Sequence, residues 1–426
     1  MSYPLTQEKY DVIVIGAGPA GTLAAKYAAE NGADVLIVEK KKEIGTPIQC
    51  AGFVPEAFEI EEMISGLILP DEMKKISKKC ILSKTKTQRL ISPDLKSKEF
   101  DVAGFVLDRR LFDSDLAEQA AAAGADILCG TSAKEICSGS KDHTVRLNGV
   151  FGAAEVTGKI IIGADGPNSM VGKTFGLSHS KQERAEEREE VKQEARQVAG
   201  TPYERGIGFE YKMTNVDIDA EALEMYFGNE YVPGGYVWIF PEGCGKANVG
   251  IGLRNSNSPS KEKVSARTLL NKFITEHPIA SEKLKGGKIM SVHGGIIPVS
   301  GAPEKTAACS AMVVGDAAGQ VMATNGGGIP FAMAAGKIAG EIAAAAVMEE
   351  KTGGQLSVIR YEKEWRSAFG DALDSSVQAR KLMDKFTGSD KLLNAAFKML
   401  PAEKLKEMQC GSIPTPLKRG LDLLLK

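Results

Sequence analysis

A glycine-rich turn between two apolar runs near the start of the chain limits the fold more than any other segment. Residues 11–21 read D-V-I-V-I-G-A-G-P-A-G. The unbroken apolar run at 12–15 is typical of a buried parallel strand. Gly16 permits a tight turn, Gly18 lets the backbone approach a pyrophosphate, and Gly21 lets the next helix pack closely on the sheet. The order of these features predicts the start of a Rossmann-like nucleotide-binding domain.

The second apolar run and the acidic residue after it indicate which kind of ligand is expected. It covers residues 35–38 and ends at Glu39. A carboxylate there accepts hydrogen bonds from the ribose hydroxyls of an adenosine and repels a 2′-phosphate. The helix that follows Gly18 offers free N–H groups and a positive dipole end to the phosphates. We therefore predict that this segment binds a dinucleotide through Gly16, Gly18, Gly21 and Glu39.

Length, charge and cysteine use exclude several classes of function. The 426 residues suggest two or three domains, and the net charge of −2 argues against nucleic acid as a partner. No apolar run is expected to span a bilayer, and the first ten residues lack a signal-peptide pattern, which predicts a cytoplasmic protein. The seven cysteines and four histidines have no ligand spacing, so we expect no metal site.

Three later segments favour FAD over NAD as the dinucleotide. Asp316 follows an apolar run at 311–314, where its carboxylate can bond a ribityl hydroxyl, a group that NAD lacks. The glycines 326–328 open an Ala-rich helix with Pro330 just inside it, and such a helix start suits the N1/C2 carbonyl edge of an isoalloxazine. Arg109 begins another helix, from which it can reach the pyrophosphate.

The hydrophobic pattern divides the chain into regions. Residues 159–163 and 311–316 are of the buried parallel type, whereas alternation dominates from about 203 to 300. The charged stretch at 178–200 is predicted to be an exposed helix or a linker. We predict a three-layer, Rossmann-like α/β FAD-binding domain interrupted by an antiparallel-sheet substrate domain and followed by a helical C-terminal region. The predicted bounds are 1–75, 102–178 and 305–350 for the FAD-binding domain, 76–101 and 179–304 for the substrate domain, and 351–426 for the helical region.

The chain has no second glycine motif at a strand–helix junction. A second redox partner is therefore expected to visit transiently. The sequence leaves open whether this external electron donor is a ferredoxin or a reduced nicotinamide.

The order of motifs resembles the flavoprotein hydroxylase superfamily. The motifs are G-A-G-P-A-G at 16–21, Arg109 with Phe112-Asp113, G-A-D-G at 163–166 and G-D-A-A-G at 315–319. Within that superfamily, Y-V-W-I-F-P at 236–241 followed by N-V-G at 248–250 resembles the signature of geranylgeranyl reductases, and most of all the archaeal digeranylgeranylglycerophospholipid reductases. This resemblance implies that reduced FAD saturates the double bonds of isoprenoid ether phospholipids. It also implies FAD contacts at Ala20, Glu39, Cys50, Ala51, Arg109, Ala133, Asp316, Gly328 and Ile329.

The implied reaction places demands on the substrate domain. An isolated alkene has no carbonyl to take up charge, so hydride from flavin N5 and a proton must reach its two carbons in a dry, apolar tunnel. Aromatic faces stabilise developing positive charge. The hypothesis is that Tyr236, Trp238 or Phe240 lines this tunnel, the alternative being ordinary packing of a sheet face. Cys50 is the catalytic candidate beside the flavin: its thiol either relays or donates a proton, or only fills space.

Further expectations concern contact with a membrane and two alternative functions. A double-chain lipid must be collected from a bilayer, so we predict weak peripheral contact with the inner membrane surface, to which Lys418, Arg419 and the leucines at 421–425 are candidates to contribute. Two other functions stay open at this point. One is an FAD monooxygenase acting on a small aromatic, and the other is an electron-transfer flavoprotein without substrate chemistry.

Overall fold

The computed structural model describes residues 7–64, 66–179, 205–254 and 264–413. Most of the charged stretch at 178–200 lies outside the described residues, as do Lys418, Arg419 and the leucines at 421–425. The expectations placed on them therefore stay predictions.

Two eight-stranded sheets form the framework of the described residues. In chain order the strands are β1 (Lys9–Ile15), β2 (Val35–Val38), β3 (Phe53–Pro55), β4 (Ile81–Ile91), β5 (Ser97–Leu107), β6 (Asp126–Leu128), β7 (Thr131–Cys137), β8 (His143–Gly149), β9 (Gly152–Gly163), β10 (Arg205–Thr214), β11 (Ala222–Gly228), β12 (Val232–Gly243), β13 (Lys246–Arg254), β14 (Lys288–Pro298), β15 (Ala307–Ala308) and β16 (Ala311–Val313). The α-helices are Pro19–Glu30, Ala57–Met63, Asp71–Lys74, Arg109–Ala122, Met170–Thr174, Ala266–Glu276, Ala280–Lys283, Ile329–Lys351, Arg360–Trp365, Asp371–Thr387, Asp390–Met399 and Ala402–Gln409.

The first sheet is the predicted nucleotide-binding sheet. Its order is β15-β16-β9-β1-β2-β6, with the hairpin β7–β8 attached to β9. Strand β1 pairs in parallel with β2 and β9, and β16 and β6 extend the parallel core on either side. The apolar runs of β1 and β2 are buried on both faces, as a covered parallel sheet requires.

Small residues bring two helices together on one face of this sheet. A Cβ at Gly336 would lie 2.3 Å from Ala20 O, and a Cβ at Gly340 would lie 2.3 Å from Ala24 O. The helix Ile329–Lys351 can therefore lie directly against Pro19–Glu30. This packing fixes both helix starts at the same edge of the sheet, where ligands of open α/β folds bind.

The helix Ile329–Lys351 corrects one expectation. With 23 residues, it is long and apolar enough by length and composition to cross a membrane, whereas the sequence analysis expected no such run. However, 72% of its most apolar window is buried inside the protein. The burial of most of this helix against other elements explains its apolar composition, as in a core helix.

The second sheet contains more of the N-terminal part of the chain than predicted. Its order is β14-β10-β13-β12-β11-β4-β5-β3. The boundary predicted between residues 101 and 102 falls inside β5 and is wrong, because β4 and β5 pair as one antiparallel hairpin. β3, within the predicted range 1–75, also joins this sheet. The sheet is antiparallel except where β11 and β4 pair in parallel.

The two faces of the second sheet have different partners. The helix Ala266–Glu276 packs on one face through Leu270 and Phe273. On the other face, Trp238 and Phe240 belong to a buried cluster with Phe397 and Met408 of the C-terminal helices. The C-terminal helices therefore cover part of this face.

Candidate active site

A cavity of about 430 Å³ opens between the edge of the first sheet and the second sheet. The residues of the nucleotide-binding motifs that line it are Gly18, Ala20, Cys50, Ala51, Arg109, Asp316, Gly328 and Ile329. The second sheet contributes Gln88, Glu210, Leu223, Met225, Tyr236, Trp238 and Phe240. The structure thus brings the FAD motifs and the aromatic strand β12 to the same cavity.

The three glycines of the first turn have different surroundings. Gly16 has a φ of +107°, and a Cβ there would lie 2.3 Å from Ala164 O. A Cβ at Gly21 would lie 2.0 Å from Gly16 O, so only glycine lets the helix begin this close to the strand. At Gly18 no atom lies within 4 Å of the Cβ position, and the residue lines the cavity. Gly18 is therefore the place where a ligand can touch the backbone, as a pyrophosphate requires.

Glu39 and Ala133 do not line the cavity. The Glu39 carboxylate accepts hydrogen bonds from Ala17 N at 2.7 Å and Lys41 N at 2.8 Å. These bonds hold it at the end of β2 beside the glycine turn. Thr131 N donates to Glu39 O, and Ala133 follows two residues later on β7. Their contacts with the adenosine end of FAD remain predictions.

The Asp316 carboxylate and the uncapped start of the helix Ile329–Lys351 lie close together in the cavity wall. Asp316 is exposed to solvent although protein surrounds it, because it lines the cavity. Burial raises the pKa of Asp316 to about 6, although the positive charge of Arg109 opposes this. The helix Ile329–Lys351 begins at the cavity with Gly328 as its N-cap, which provides no side-chain hydrogen bond. Its first N–H groups are thus available to a ligand.

Arg109 is held in place by a buried ion pair. Its Nε and Nη2 each donate to an oxygen of Asp113 at 3.0 Å. Burial alone would lower the pKa of Arg109, but Asp113 and the nearby Cys50 outweigh burial and raise it. Arg109 therefore carries its charge at the cavity wall. Cys50 also lines the cavity, and its Sγ accepts from Gly52 N at 3.4 Å.

The aromatic side chains of β12 form a row on the cavity side. The ring centroids of Tyr236 and Trp238 are 5.9 Å apart, and those of Trp238 and Phe240 are 6.2 Å apart. Trp238 lies opposite Gly250 on β13. A Cβ at Gly250 would lie 2.1 Å from Trp238 Cζ2, so the indole occupies the space above this glycine. Trp238 Nε1 donates to Asn248 Oδ1 at 2.7 Å, which fixes the ring.

Tyr236 connects this row to the glycine-rich helix start. Its hydroxyl donates to Asn325 O at 2.5 Å. Asn325 Oδ1 in turn accepts from Gly327 N at 2.8 Å. The second sheet thereby positions the loop that the sequence assigned to the flavin edge.

Sequence reasoning missed Glu210. This residue lines the cavity, is 3% exposed, and has an Oε1 without a hydrogen-bond partner among the described residues. Burial raises its pKa to about 7, against the opposing effects of Asn248 and Lys212. On β10, Glu210 alternates with Phe209 and Tyr211. By itself, this pattern predicts that the charged side chain of Glu210 faces solvent. Only the position of the second sheet in the structure reveals that the face carrying Glu210 lines the cavity.

Family models match both walls of the cavity. Residues 9–203 match an FAD-binding domain, so the cofactor of this chain is FAD. Residues 205–297 match the catalytic domain of geranylgeranyl reductases. The second match contains Glu210, the aromatic row and Gly250.

Curated relatives match nearly the whole chain. A digeranylgeranylglycerophospholipid reductase from Methanosarcina mazei is 38% identical over 392 residues, which is 90% of this chain and 87% of the relative. A protein of the same name from Methanocaldococcus jannaschii is 35% identical over 97% of this chain and 98% of the relative.

Solved structures give the same fold. A geranylgeranyl bacteriochlorophyll reductase-like protein from Thermoplasma acidophilum aligns with a TM-score of 0.78 and 27% identity, covering 98% of this chain and 99% of that chain. The flavin-dependent brominase Bmp2 aligns with a TM-score of 0.65 and 16% identity, covering 98% of this chain and 99% of that chain. At that identity the likeness to the brominase concerns the fold alone.

Proposed function

The chain belongs to the digeranylgeranylglycerophospholipid reductase family, and we propose from this premise that it hydrogenates the isolated C=C bonds of geranylgeranyl chains in archaeal ether phospholipid precursors. It is an oxidoreductase acting on CH–CH groups with FAD as its cofactor. The observation that carries the specific proposal is the arrangement of the cavity. Its FAD motifs face an aromatic and apolar wall of the second sheet.

We propose that the residues of the first wall hold FAD. Gly18 and Arg109 bind the pyrophosphate, and Asp316 bonds a ribityl hydroxyl. Gly328 and Ile329 place the helix start at the carbonyl edge of the isoalloxazine, where the dipole stabilises negative charge. Glu39 and Ala133 contact the adenosine. When bound and reduced, FAD supplies the hydride.

The second wall is proposed to hold the isoprenoid chain. Tyr236, Trp238 and Phe240 line one side of the cavity, and Leu223 and Met225 add aliphatic surface. Such a wall excludes water from the alkene. It also stabilises partial positive charge on the alkene carbons through the aromatic faces.

Cys50 is proposed to act at the boundary between cofactor and substrate. It lines the cavity beside Arg109, where it either relays a proton or fills space next to the ring. A Cys50→Ala variant separates these roles. If it binds FAD and retains full alkene reduction, the thiol has no part in the proton transfer.

Mass spectrometry tests the proposed function directly. Unsaturated archaeal ether lipid is incubated with the protein and chemically reduced FAD. Stepwise gains of two hydrogens per double bond are the expected result. Unchanged lipid together with oxygen uptake on addition of a small aromatic would instead favour a monooxygenase, and electron transfer to a quinone without altered lipid would favour an electron carrier.

The electron donor and the membrane contact are further parts of this proposal. We propose an external donor, either a ferredoxin or a reduced nicotinamide. For the membrane, the helix Ala57–Met63 lies between cavity and surface: Ile60 and Met63 line the cavity, whereas Phe58 is 54% exposed. Ile68, shortly after this helix, is 72% exposed. We propose that this edge touches the bilayer from which the lipid enters.

A further inference from the structure

Glu210 and the central tryptophan of the aromatic row meet above one glycine. Gly250 on β13 pairs with Glu210 on β10 and with Trp238 on β12, so these three residues lie on one line across the sheet. A Cβ at Gly250 would lie 2.1 Å from Trp238 Cζ2 and 2.8 Å from Glu210 Cβ. The Glu210 side chain therefore begins beside the ring that the proposed function assigns to the alkene.

One oxygen of the buried Glu210 carboxyl group, Oε1, has no hydrogen-bond partner among the described residues. The Asn248 side chain lies close enough to lower the pKa of Glu210, but it makes no hydrogen bond of ordinary geometry to it: its Oδ1 accepts from the indole, and its Nδ2 has no hydrogen-bond partner in the described part of the chain. Buried acids in such surroundings favour the protonated form.

Several charged and titratable groups surround Glu210. Lys212 on the same strand and Arg109 favour the carboxylate, but Lys212 is paired with Glu242 at 2.8 Å. Glu242 itself disfavours the carboxylate. His293 lies opposite Glu210 on β14, and burial lowers its pKa, so it is neutral at pH 7. Burial dominates, and the pKa of Glu210 is raised to about 7.

We propose that Glu210 is the acid that delivers the proton to the alkene, an assignment that rests on the proposed function. The O–H bond of the carboxyl group breaks and a C–H bond forms at one alkene carbon. The hydride at the other carbon, with its electron pair, comes from the reduced cofactor. The product gains two hydrogens, and the remaining carboxylate is stabilised by Arg109 and Lys212 until water returns the proton.

The experiment compares wild-type protein with Glu210→Gln, Glu210→Asp, Cys50→Ala and the exposed control Glu221→Gln. Two quantities are measured between about pH 5 and about pH 9. The first is the rate at which geranylgeranyl lipid reoxidises bound reduced FAD, read by absorbance. The second is the infrared carbonyl band of protonated carboxyl groups in the protein without lipid, which reports protonation independently of activity.

We expect the Glu210→Gln variant to react about 100-fold more slowly or worse, which is the usual effect of losing a general acid. The wild-type rate should fall above about pH 7, and the variant should lack this dependence. The infrared component that titrates near pH 7 should be absent from Glu210→Gln and present in Glu221→Gln. Glu210→Asp should keep the pH dependence at a reduced rate.

Three results would overturn the assignment of Glu210. They are a wild-type rate in Glu210→Gln, an infrared component near pH 7 that survives this substitution, and a pH dependence that disappears in Cys50→Ala but persists in Glu210→Gln. A wild-type protein that binds FAD and leaves the lipid unchanged would instead overturn the proposed function, and the role of Glu210 with it.

Discussion

At the scale of single residues, a buried carboxyl group with one unpaired oxygen makes stability depend on pH. The pKa of Glu210 is raised from 4.5 to about 7 by burial, so the folded protein holds this proton more tightly than the unfolded chain. Its contribution is therefore intact below about pH 4.5 and is lost as the pH rises to about 7. Glutamine mimics the protonated form, so the Glu210→Gln variant should keep this contribution to stability as the pH rises.

Urea unfolding of the FAD-free protein checks this prediction. Between about pH 5 and about pH 8, the unfolding free energy of Glu210→Gln relative to wild type should rise by about 2 kcal/mol. Asp316, whose pKa is also raised, is present in both proteins and cancels in the comparison. A constant difference across this range would contradict the buried state of Glu210 with one oxygen unpaired. The control Glu221→Gln should track the wild type.

Tyr236 provides a second prediction at this scale. Removing its hydroxyl in Tyr236→Phe leaves Asn325 O without its donor and loosens the loop at the start of the helix Ile329–Lys351. A hydrogen bond of this kind is worth about 1 kcal/mol, so the Kd for FAD should rise about fivefold. Flavin fluorescence measures the Kd. Tyr211→Phe is the matched control, since it loses a bond to Asn271 on the other face of the sheet and should leave the Kd unchanged.

The roles of individual residues could be predicted from the sequence to different degrees. The steric roles of Gly16 and Gly21 were predictable, because a local turn with fixed stereochemistry allows only glycine there. The environment of Glu210 was not, since the pattern of β10 says which residues share a face but not what covers that face. Cofactor contacts such as Ala133 were predicted only from resemblance, because no local pattern on β7 indicates a ligand.

At the scale of elements, the missing side chain of Gly250 determines how β12 and β13 carry the aromatic row. In Gly250→Ala the new Cβ collides with Trp238 Cζ2 at 2.1 Å, so the indole must leave its place. Overpacking of this kind costs about 1–3 kcal/mol of unfolding free energy. We also expect slower lipid reduction, because the moved ring narrows the cavity.

Gly252 on the same strand is the matched control for this prediction. A Cβ there meets Trp238 and Tyr236 at 3.7 and 3.8 Å, which is ordinary van der Waals contact. Gly252→Ala should therefore change the unfolding free energy by less than about 1 kcal/mol. Equal losses in the two variants, measured by urea unfolding, would mean that strand flexibility rather than the tryptophan sets the requirement for glycine.

The strands also show where sequence patterns give insufficient information about domains. The parallel strands β1, β2 and β9 were predictable because burial on both faces leaves continuous apolar runs. The hairpin β4–β5 was divided wrongly between domains. Its alternating pattern is compatible with any half-exposed sheet, and only hydrogen-bond pairing decides which sheet a strand joins.

At the scale of the whole molecule, the proposed function requires a double-chain lipid to move between a bilayer and the cavity. The helix Ala57–Met63 separates part of the cavity from the surface, with Ile60 lining the cavity and Phe58 exposed. Exposed apolar side chains at the rim of such a partition favour contact with a membrane. We therefore predict that the wild-type protein co-sediments with vesicles of unsaturated archaeal ether phospholipid.

Substituting Phe58 and Ile68 by glutamate should weaken this association on the order of tenfold, because two apolar contacts are lost and negative charge is added. Val150→Glu is the control: Val150 is similarly exposed, at 57%, but lies in the turn between β8 and β9 of the other domain. The double variant should keep its FAD affinity and its activity on detergent-dispersed lipid, since neither side chain lines the cavity. If wild type stays in the supernatant, or if Val150→Glu weakens sedimentation equally, lipid enters elsewhere.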